Sequence, residues 1–327
     1  MLSKNFTGRT GWVAFFASIS LSVLSFSANA EDNSVSDSHD QSQVVTDSDN
    51  SGTEESLVDE RIEQEEKVID NPFVITPYKA NYIMPVTYMS HTNDEPFKEA
   101  LEDDYQPLDN TEAKFQISFK MPLSTHLFDD TGDLYFAYTN QSWWQVYNKS
   151  SSSPFRETVH EPELFLQFKN DWKVAGFTNS LWQVGLNHQS NGQSGELSRS
   201  WNRVFGEMVF DKGPFALGLK TWWRIPESDK SSPSDASGDD NPDINHYMGN
   251  FELTGLYGVD KHRFAVVLRD NLEFGDNKGA VQLSWSYPIL NNLRVYVQYF
   301  NGYGESLIDY NYHIQRVGVG IALNDLL

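Results

Sequence analysis

Trp182-Gln183-Val184-Gly185-Leu186-Asn187-His188 alternates between two chemistries. Period-two alternation marks a strand, with Trp182, Val184, Leu186 and His188 on one face and Gln183, Gly185 and Asn187 on the other. The first face suits lipid and the second suits a polar lumen, the pattern of a sheet closed within a membrane. The same period runs through Leu134-Tyr135-Phe136-Ala137-Tyr138-Thr139 and through residues 293–300 and 317–323. Asp129-Asp130-Thr131-Gly132, Asp211-Lys212-Gly213-Pro214, Val259-Asp260-Lys261 and Asn291-Asn292 punctuate the runs as turns. Twelve strands are expected, near 79–90, 112–122, 132–145, 161–169, 178–188, 199–211, 214–224, 246–257, 261–270, 277–287, 291–301 and 313–323. Many approach the ~10 residues that a tilted strand needs to cross a bilayer.

Short turns at 211–213, 258–261 and 288–292 alternate with long polar connections at 91–111, 146–160 and 225–245. That rhythm, the even strand count and Trp/Tyr at strand ends fit an all-β, twelve-stranded antiparallel transmembrane β-barrel of the outer membrane better than a soluble lipocalin or sandwich. Beyond the leader, no stretch approaches ~18 continuous apolar residues, which excludes transmembrane helices. Composition alone suggests a soluble acidic protein: 327 residues, 24 basic against 46 acidic, net charge −22 and mean hydropathy −0.52. A barrel resolves the conflict, since only every second strand residue faces lipid. The acidity argues against nucleic acid as a partner. Absent cysteine removes disulfides, thiolate metal sites and cysteine nucleophiles.

Residues 1–30 read as a signal peptide, with Lys4 and Arg9, an apolar stretch at 12–26 and Ala28-Asn29-Ala30 for cleavage. Residues 31–70 carry fourteen Asp/Glu against Arg61 and Lys67 and no aromatic residue. Such a segment is expected to be disordered, at most transiently helical near 54–68. The barrel is expected to fill 71–327.

Chemistry concentrates at 182–203. A hairpin pairing 188 with 202 also pairs 190 with 200 and centres its loop on Gly195. Directly opposed residues have Cβ atoms ~5 Å apart, so Asn202 can hold the His188 ring. Positions i and i+2 lie ~6.5–7 Å apart on one face, which brings Ser190 within bridging reach of that imidazole. Parity and register thus give a lipid-facing relay: Ser190 as nucleophile, His188 as general base and Asn202 fixing the tautomer. Asn supplies orientation without a charge that would be costly beside lipid. A Gly-x-Ser-x-Gly elbow is absent from the sequence. His91, His126, His160, His246 and His262 are scattered without metal spacing and read as surface residues. The Trp pairs 143–144 and 222–223 read as aromatic-belt residues.

His188-Gln-Ser-Asn-Gly-Gln-Ser followed by Ser198-Arg-Ser-Trp-Asn-Arg203 resembles the signature of bacterial outer membrane phospholipase A. Further matches are Gln141-Ser-Trp-Trp-Gln145, Ser152-Ser-Pro-Phe-Arg-Glu-Thr158, Glu161-Pro-Glu-Leu-Phe165, Gly302-Tyr-Gly-Glu-Ser-Leu-Ile-Asp-Tyr310 and Leu323-Asn-Asp-Leu326. The resemblance implies a twelve-stranded barrel that cleaves acyl esters of membrane glycerophospholipids at sn-1 and sn-2, and of lysophospholipids. It implies Ca2+ as cofactor, a homodimer when active and an active site on the outer-leaflet side. It assigns the same roles to Ser190, His188 and Asn202 and implies Gly192 as the oxyanion donor. It further implies calcium ligation by the Gln193 carbonyl and Ser198, by Ser152 donated from the partner subunit, and by Asp240 at a second site. Gln193 stands where many members have Arg, which a carbonyl ligand tolerates. Asn140 stands where Gln is common at the dimer contact. The competing readings are a non-enzymatic pore or structural barrel, and a lipopolysaccharide deacylase.

Overall fold

The computed structural model describes residues 56–71, 74–232, 235 and 237–324. The expected signal peptide and residues 31–55 of the acidic segment lie outside them. Twelve long strands follow in order: β1 (Asn81–Met89), β2 (Thr111–His126), β3 (Gly132–Trp144), β4 (Phe155–Lys169), β5 (Phe177–Ser190), β6 (Ser200–Lys212), β7 (Phe215–Arg224), β8 (Phe251–Val259), β9 (His262–Asp270), β10 (Gly279–Leu290), β11 (Leu293–Gly302) and β12 (Ile314–Asn324). Each pairs antiparallel with its sequence neighbours, and β12 returns to β1 through Val317↔Tyr88 and Val319↔Val86, closing the sheet. Dipeptide strands Thr76–Pro77 and Lys173–Val174 add to β2 and β5. Pro85 and Pro122, which cannot donate to a ladder, sit at register shifts in β1 and β2.

The twelve expected strands are present, with two corrected boundaries. β4 begins at Phe155 rather than 161, because the next two side chains are anchored inward. Arg156 bonds Glu112 and Asp309 at 3.1 and 2.6 Å, and Glu157 accepts from the Ile308 amide at 3.1 Å. The strand expected from 246 starts only at Phe251, after a short helix over Ile244–Met248. Ile244 and Met248, about one helical turn apart, are both buried, so the helix packs one face into the core. Gly249 ends the helix at φ +69°, where an added Cβ would lie 2.1 Å from the Asp270 carbonyl oxygen.

The exterior and interior are inverted relative to a soluble protein. Ile83, Ile117, Leu164, Val184, Leu186, Leu217 and Val319 are exposed, whereas Glu112, Lys114, Gln167, Asn187 and Arg316 are buried. Buried charges need partners, and these have them. Lys79 and Lys220 meet Glu163 at 3.3 and 2.9 Å, and Arg203 meets Glu161 at 3.3 Å. The expected polar interior holds, with Gln183 bonding Gln167 at 3.0 Å. Ion pairs therefore span the lumen, leaving a cavity of 330 Å³ bordered by Lys79, Glu207, Lys220 and Arg269. Alternation also splits both tryptophan pairs. Trp143 and Trp222 are buried while Trp144 and Trp223 face outward, so only the second of each suits the aromatic belt.

The end of the acidic segment forms a helix, α1 (Leu57–Glu66), with the Ser56 hydroxyl accepting from the Val58 and Asp59 amides. Val58 is buried, Arg61 donates to the Pro77 carbonyl at 2.8 Å, and Glu65 meets the inward Lys120 at 2.8 Å. The sequence favours only a transient helix here; the cations that fix it belong largely to the barrel wall. Burial pushes the Glu65 carboxyl up, but Lys120 and Arg61 outweigh it and hold the group below its ordinary range. Lys120→Met is expected to lower hydrogen-exchange protection across α1 by about tenfold or more while β7 to β10 keep theirs. Exchange mass spectrometry of the detergent-solubilised barrel measures it.

Candidate active site

The β5–β6 hairpin opens on the end of the barrel that carries the long loops, the extracellular end in such barrels. Its register pairs His188 with Asn202 and Ser190 with Ser200. His188 Nδ1 and Asn202 Oδ1 lie 2.8 Å apart. The His188 ring, the Asn202 amide and the Ser190 hydroxyl are half-buried on the outer face, in line with exposed Val184, Leu186 and Val204. Among the described residues, Ser190 makes no side-chain hydrogen bond to His188. Catalytic contacts are often longer without substrate.

The opposite face holds this hairpin still. Arg203 donates from Nε to Asn187 Oδ1 at 3.0 Å and stacks on Trp201 at 4.0 Å, while Asn187 donates to Glu161 at 2.8 Å. Trp201 donates to Gln189 Oε1 at 2.7 Å. These partners fix the backbone from which His188 and Asn202 project.

In the connecting loop, buried Asn191 donates to the Leu197 carbonyl at 2.8 Å and accepts from the Arg199 and Gln193 amides at 3.0 and 3.3 Å. That fold-back requires φ +66° at Gly192, a conformation glycine adopts without strain. Ser198 Oγ donates to Asp240 Oδ2 at 2.8 Å, and Ser200 Oγ to the same oxygen at 3.2 Å. Lys230 pairs with the other Asp240 oxygen. The structure thus joins Ser198 and Asp240, which the resemblance assigns to separate calcium sites. Gln193 shares their loop. Ser152 lies in the β3–β4 loop at φ +57°, with no contact to Ser190, Gln193 or Ser198 among the described residues.

Two neighbours of the site escape a reading of the sequence. His160 is the register partner of Ser190 across β4–β5, its Nδ1 lies 2.6 Å from the Tyr138 hydroxyl, and its Nε2 would lie 4.0 Å from a Cβ at Gly192. Asn140 lies beside it at 3.5 Å. Glu227, in the long loop after β7, accepts from Asn202 Nδ2 at 3.1 Å. A His-x-Ser parity argument reaches neither residue, because His160 depends on an irregular turn and Glu227 on a loop.

A closed barrel with an apolar exterior and an outward Ser, His and Asn defines a class, the membrane-embedded hydrolase. A family model described as Phospholipase A1 matches residues 58–323. The phospholipase A1 of Klebsiella pneumoniae is 41% identical over 260 residues, covering 79% of this chain and 85% of that protein. Outer membrane phospholipase A from Escherichia coli superposes with a TM-score of 0.71 at 38% identity, over 78% of this chain and 100% of that one. The Salmonella typhi outer membrane phospholipase, a dimer with bound calcium, gives 0.71 at 38%, over 79% and 94%. The chain belongs to the phospholipase A1 family and is a phospholipid-hydrolysing β-barrel esterase of the outer membrane.

Proposed function

We propose that the chain hydrolyses the sn-1 and sn-2 acyl esters of glycerophospholipids, and those of lysophospholipids, by a Ser190–His188–Asn202 relay that acts on lipid beside the barrel wall. The observation that carries this reading is the 2.8 Å contact between His188 Nδ1 and Asn202 Oδ1 on the outward face, one register step from Ser190. With Nδ1–H donating to Asn202, Nε2 is the free lone pair. It takes the Ser190 proton as Oγ attacks the ester carbonyl, and the Gly192 amide donates to the developing oxyanion. The imidazolium then returns the proton to the departing glycerol oxygen. Water, activated by the same His188, releases the fatty acid from the acyl-serine.

The donor set around Ser198 suits calcium: serine hydroxyls, the Asp240 carboxylate and backbone carbonyl oxygen at Gln193 are all hard oxygen ligands. Ser198, the Gln193 carbonyl and Ser152 of the partner subunit would hold the ion, with Asp240 bordering it. When bound, the ion would supply positive charge that polarises a water beside the oxyanion. Ligands from two subunits make the homodimer the active species, and the dimeric calcium-bound relative supports that. Asn140 on the same outer face would contribute to the contact between barrels.

Fatty-acid release from phospholipid and from lipopolysaccharide, each with calcium and with chelator, tests the reading. Calcium-dependent release from phospholipid is expected; release confined to lipopolysaccharide, or none from either, would sink it. Ser198→Ala is expected to raise the calcium concentration for half-maximal activity about tenfold or more while the folded barrel persists.

A further inference from the structure

A hydrogen-bond relay through an amide has a weakness: an Asn side chain works only one way round. Rotated by half a turn, it would present an N–H₂ to His188 Nδ1, favour protonation at Nε2 and leave no base for the serine. Something must set the amide. The carboxylate of Glu227 can only accept hydrogen bonds when ionised, and it lies 3.1 Å from Asn202 Nδ2. That contact assigns the nitrogen to the loop side and turns Oδ1 toward His188, where it lies 2.8 Å from Nδ1. The imidazole must then carry its proton on Nδ1.

We infer that Glu227 is a positioning residue for this reaction, a fourth member of the relay that fixes the Asn202 amide and through it the catalytic tautomer of His188. The proposal rests on the Ser–His–Asn reading and extends it by one bond. The loop is built to deliver the group. The Ile225 amide donates to the Asn202 carbonyl at 2.8 Å, continuing the ladder past Arg224 and placing Glu227 two residues beyond that anchor. Lys230, the next cation along the loop, is committed to Asp240 and so does not compete with the amide for Glu227. The carboxylate is half-buried, where its bond to the amide is stronger than in open water. It also polarises the amide so that Oδ1 is a better acceptor for the imidazolium formed during attack.

The test is a double-mutant cycle on the full-length barrel in mixed phospholipid–detergent micelles with calcium. It is read as kcat and KM, and as the rate at which a fluorophosphonate probe labels Ser190. In that labelling the Oγ–P bond forms, the P–F bond breaks, fluoride leaves and the serine proton passes to His188. Only protein migrating as folded barrel in unboiled gels is compared. Glu227→Ala is expected to lower kcat and labelling about tenfold with KM within about twofold. Glu227→Gln, whose carbonyl oxygen still accepts from Asn202, is expected to recover most of that loss. In an Asn202→Ala background, Glu227→Ala should cost nothing further, because its effect passes through Asn202. Nitrogen-15 spectra of labelled histidine should move His188 from a single Nδ1–H form to a tautomer mixture in Glu227→Ala. Full kcat in Glu227→Ala overturns the proposal, as does an equal loss with and without Asn202, provided Ser190→Ala is inactive. An active Ser190→Ala protein would instead overturn the underlying relay.

Discussion

Ser190→Ala is expected to reduce calcium-dependent fatty-acid release by about 10³-fold or more, with the barrel intact. No other hydroxyl can replace it with the same geometry. Ser200, its register partner, already donates to Asp240, and Ser198 does the same. His188→Ala should be nearly as severe, since the serine then has no base, and combining the two should add little because the residues act as one unit. Asn202→Ala should be milder, removing orientation and leaving the base in place. The ordering Ser190 ≥ His188 > Asn202, measured on phospholipid micelles, distinguishes a relay from a surface on which these residues merely bind lipid. Equal, modest losses for all three would argue for the latter. Loss of heat-modifiable migration on gels would identify a folding defect.

Why this triplet could be found in the sequence, and its neighbours could not, is a matter of how register is set. β5 and β6 are joined by a near-symmetric hairpin, so pairing 188 with 202 determines every other pair, and the structure keeps that register from Leu181↔Val209 to Ser190↔Ser200. Period two then decides which side chains share a face. His160 is just as close to Ser190 in the sheet, yet β4 and β5 are joined through a turn carrying the extra strand pair Lys173↔Thr178, whose offset cannot be read from alternation. Glu227 is beyond both rules, because it sits on a loop placed by the Ile225–Asn202 backbone bond. The same limit explains the corrections to the fold. A strand shows where apolar and polar residues alternate, but the inward charges that lengthen β4 and dock α1 are paired across the lumen with partners far away in sequence, as Glu65 is with Lys120. The tryptophan pairs show the converse: local sequence marks them as belt residues, and the pleat sends every second one inside.

Arg316→Met is expected to destabilise the barrel by about 3–5 kcal/mol, far more than the loss of any surface ion pair. Arg316 is a buried hub: it donates to Glu305 at 2.7 Å, to Thr87 at 2.9 Å and meets Glu112 at 2.8 Å. Methionine fills much of the volume, so the cost comes chiefly from two buried carboxylates left with one cation each, Arg156 for Glu112 and Lys114 for Glu305. The pH dependence identifies that cause. In the native barrel, burial alone would raise the Glu305 carboxyl, but Arg316 and then Lys114 outweigh it and bring the group down to about 2 from an ordinary 4.5. A carboxyl depressed on folding stabilises fully above its unfolded value and progressively less as pH falls through its folded one. Native stability from this group should therefore hold down to about pH 4.5 and decline toward pH 2. Without Arg316, Glu305 is protonated at higher pH and the uncompensated charge disappears sooner. The gap between wild type and Arg316→Met should thus be widest near neutrality and narrow below about pH 4. Urea unfolding of the refolded barrel in lipid vesicles across that range measures it. A gap independent of pH would assign the loss to packing rather than charge. Lys98→Ala serves as the control, since its pair with Glu95 is exposed on α2 (Glu95–Leu101) and its loss should leave the unfolding midpoint essentially unchanged at every pH.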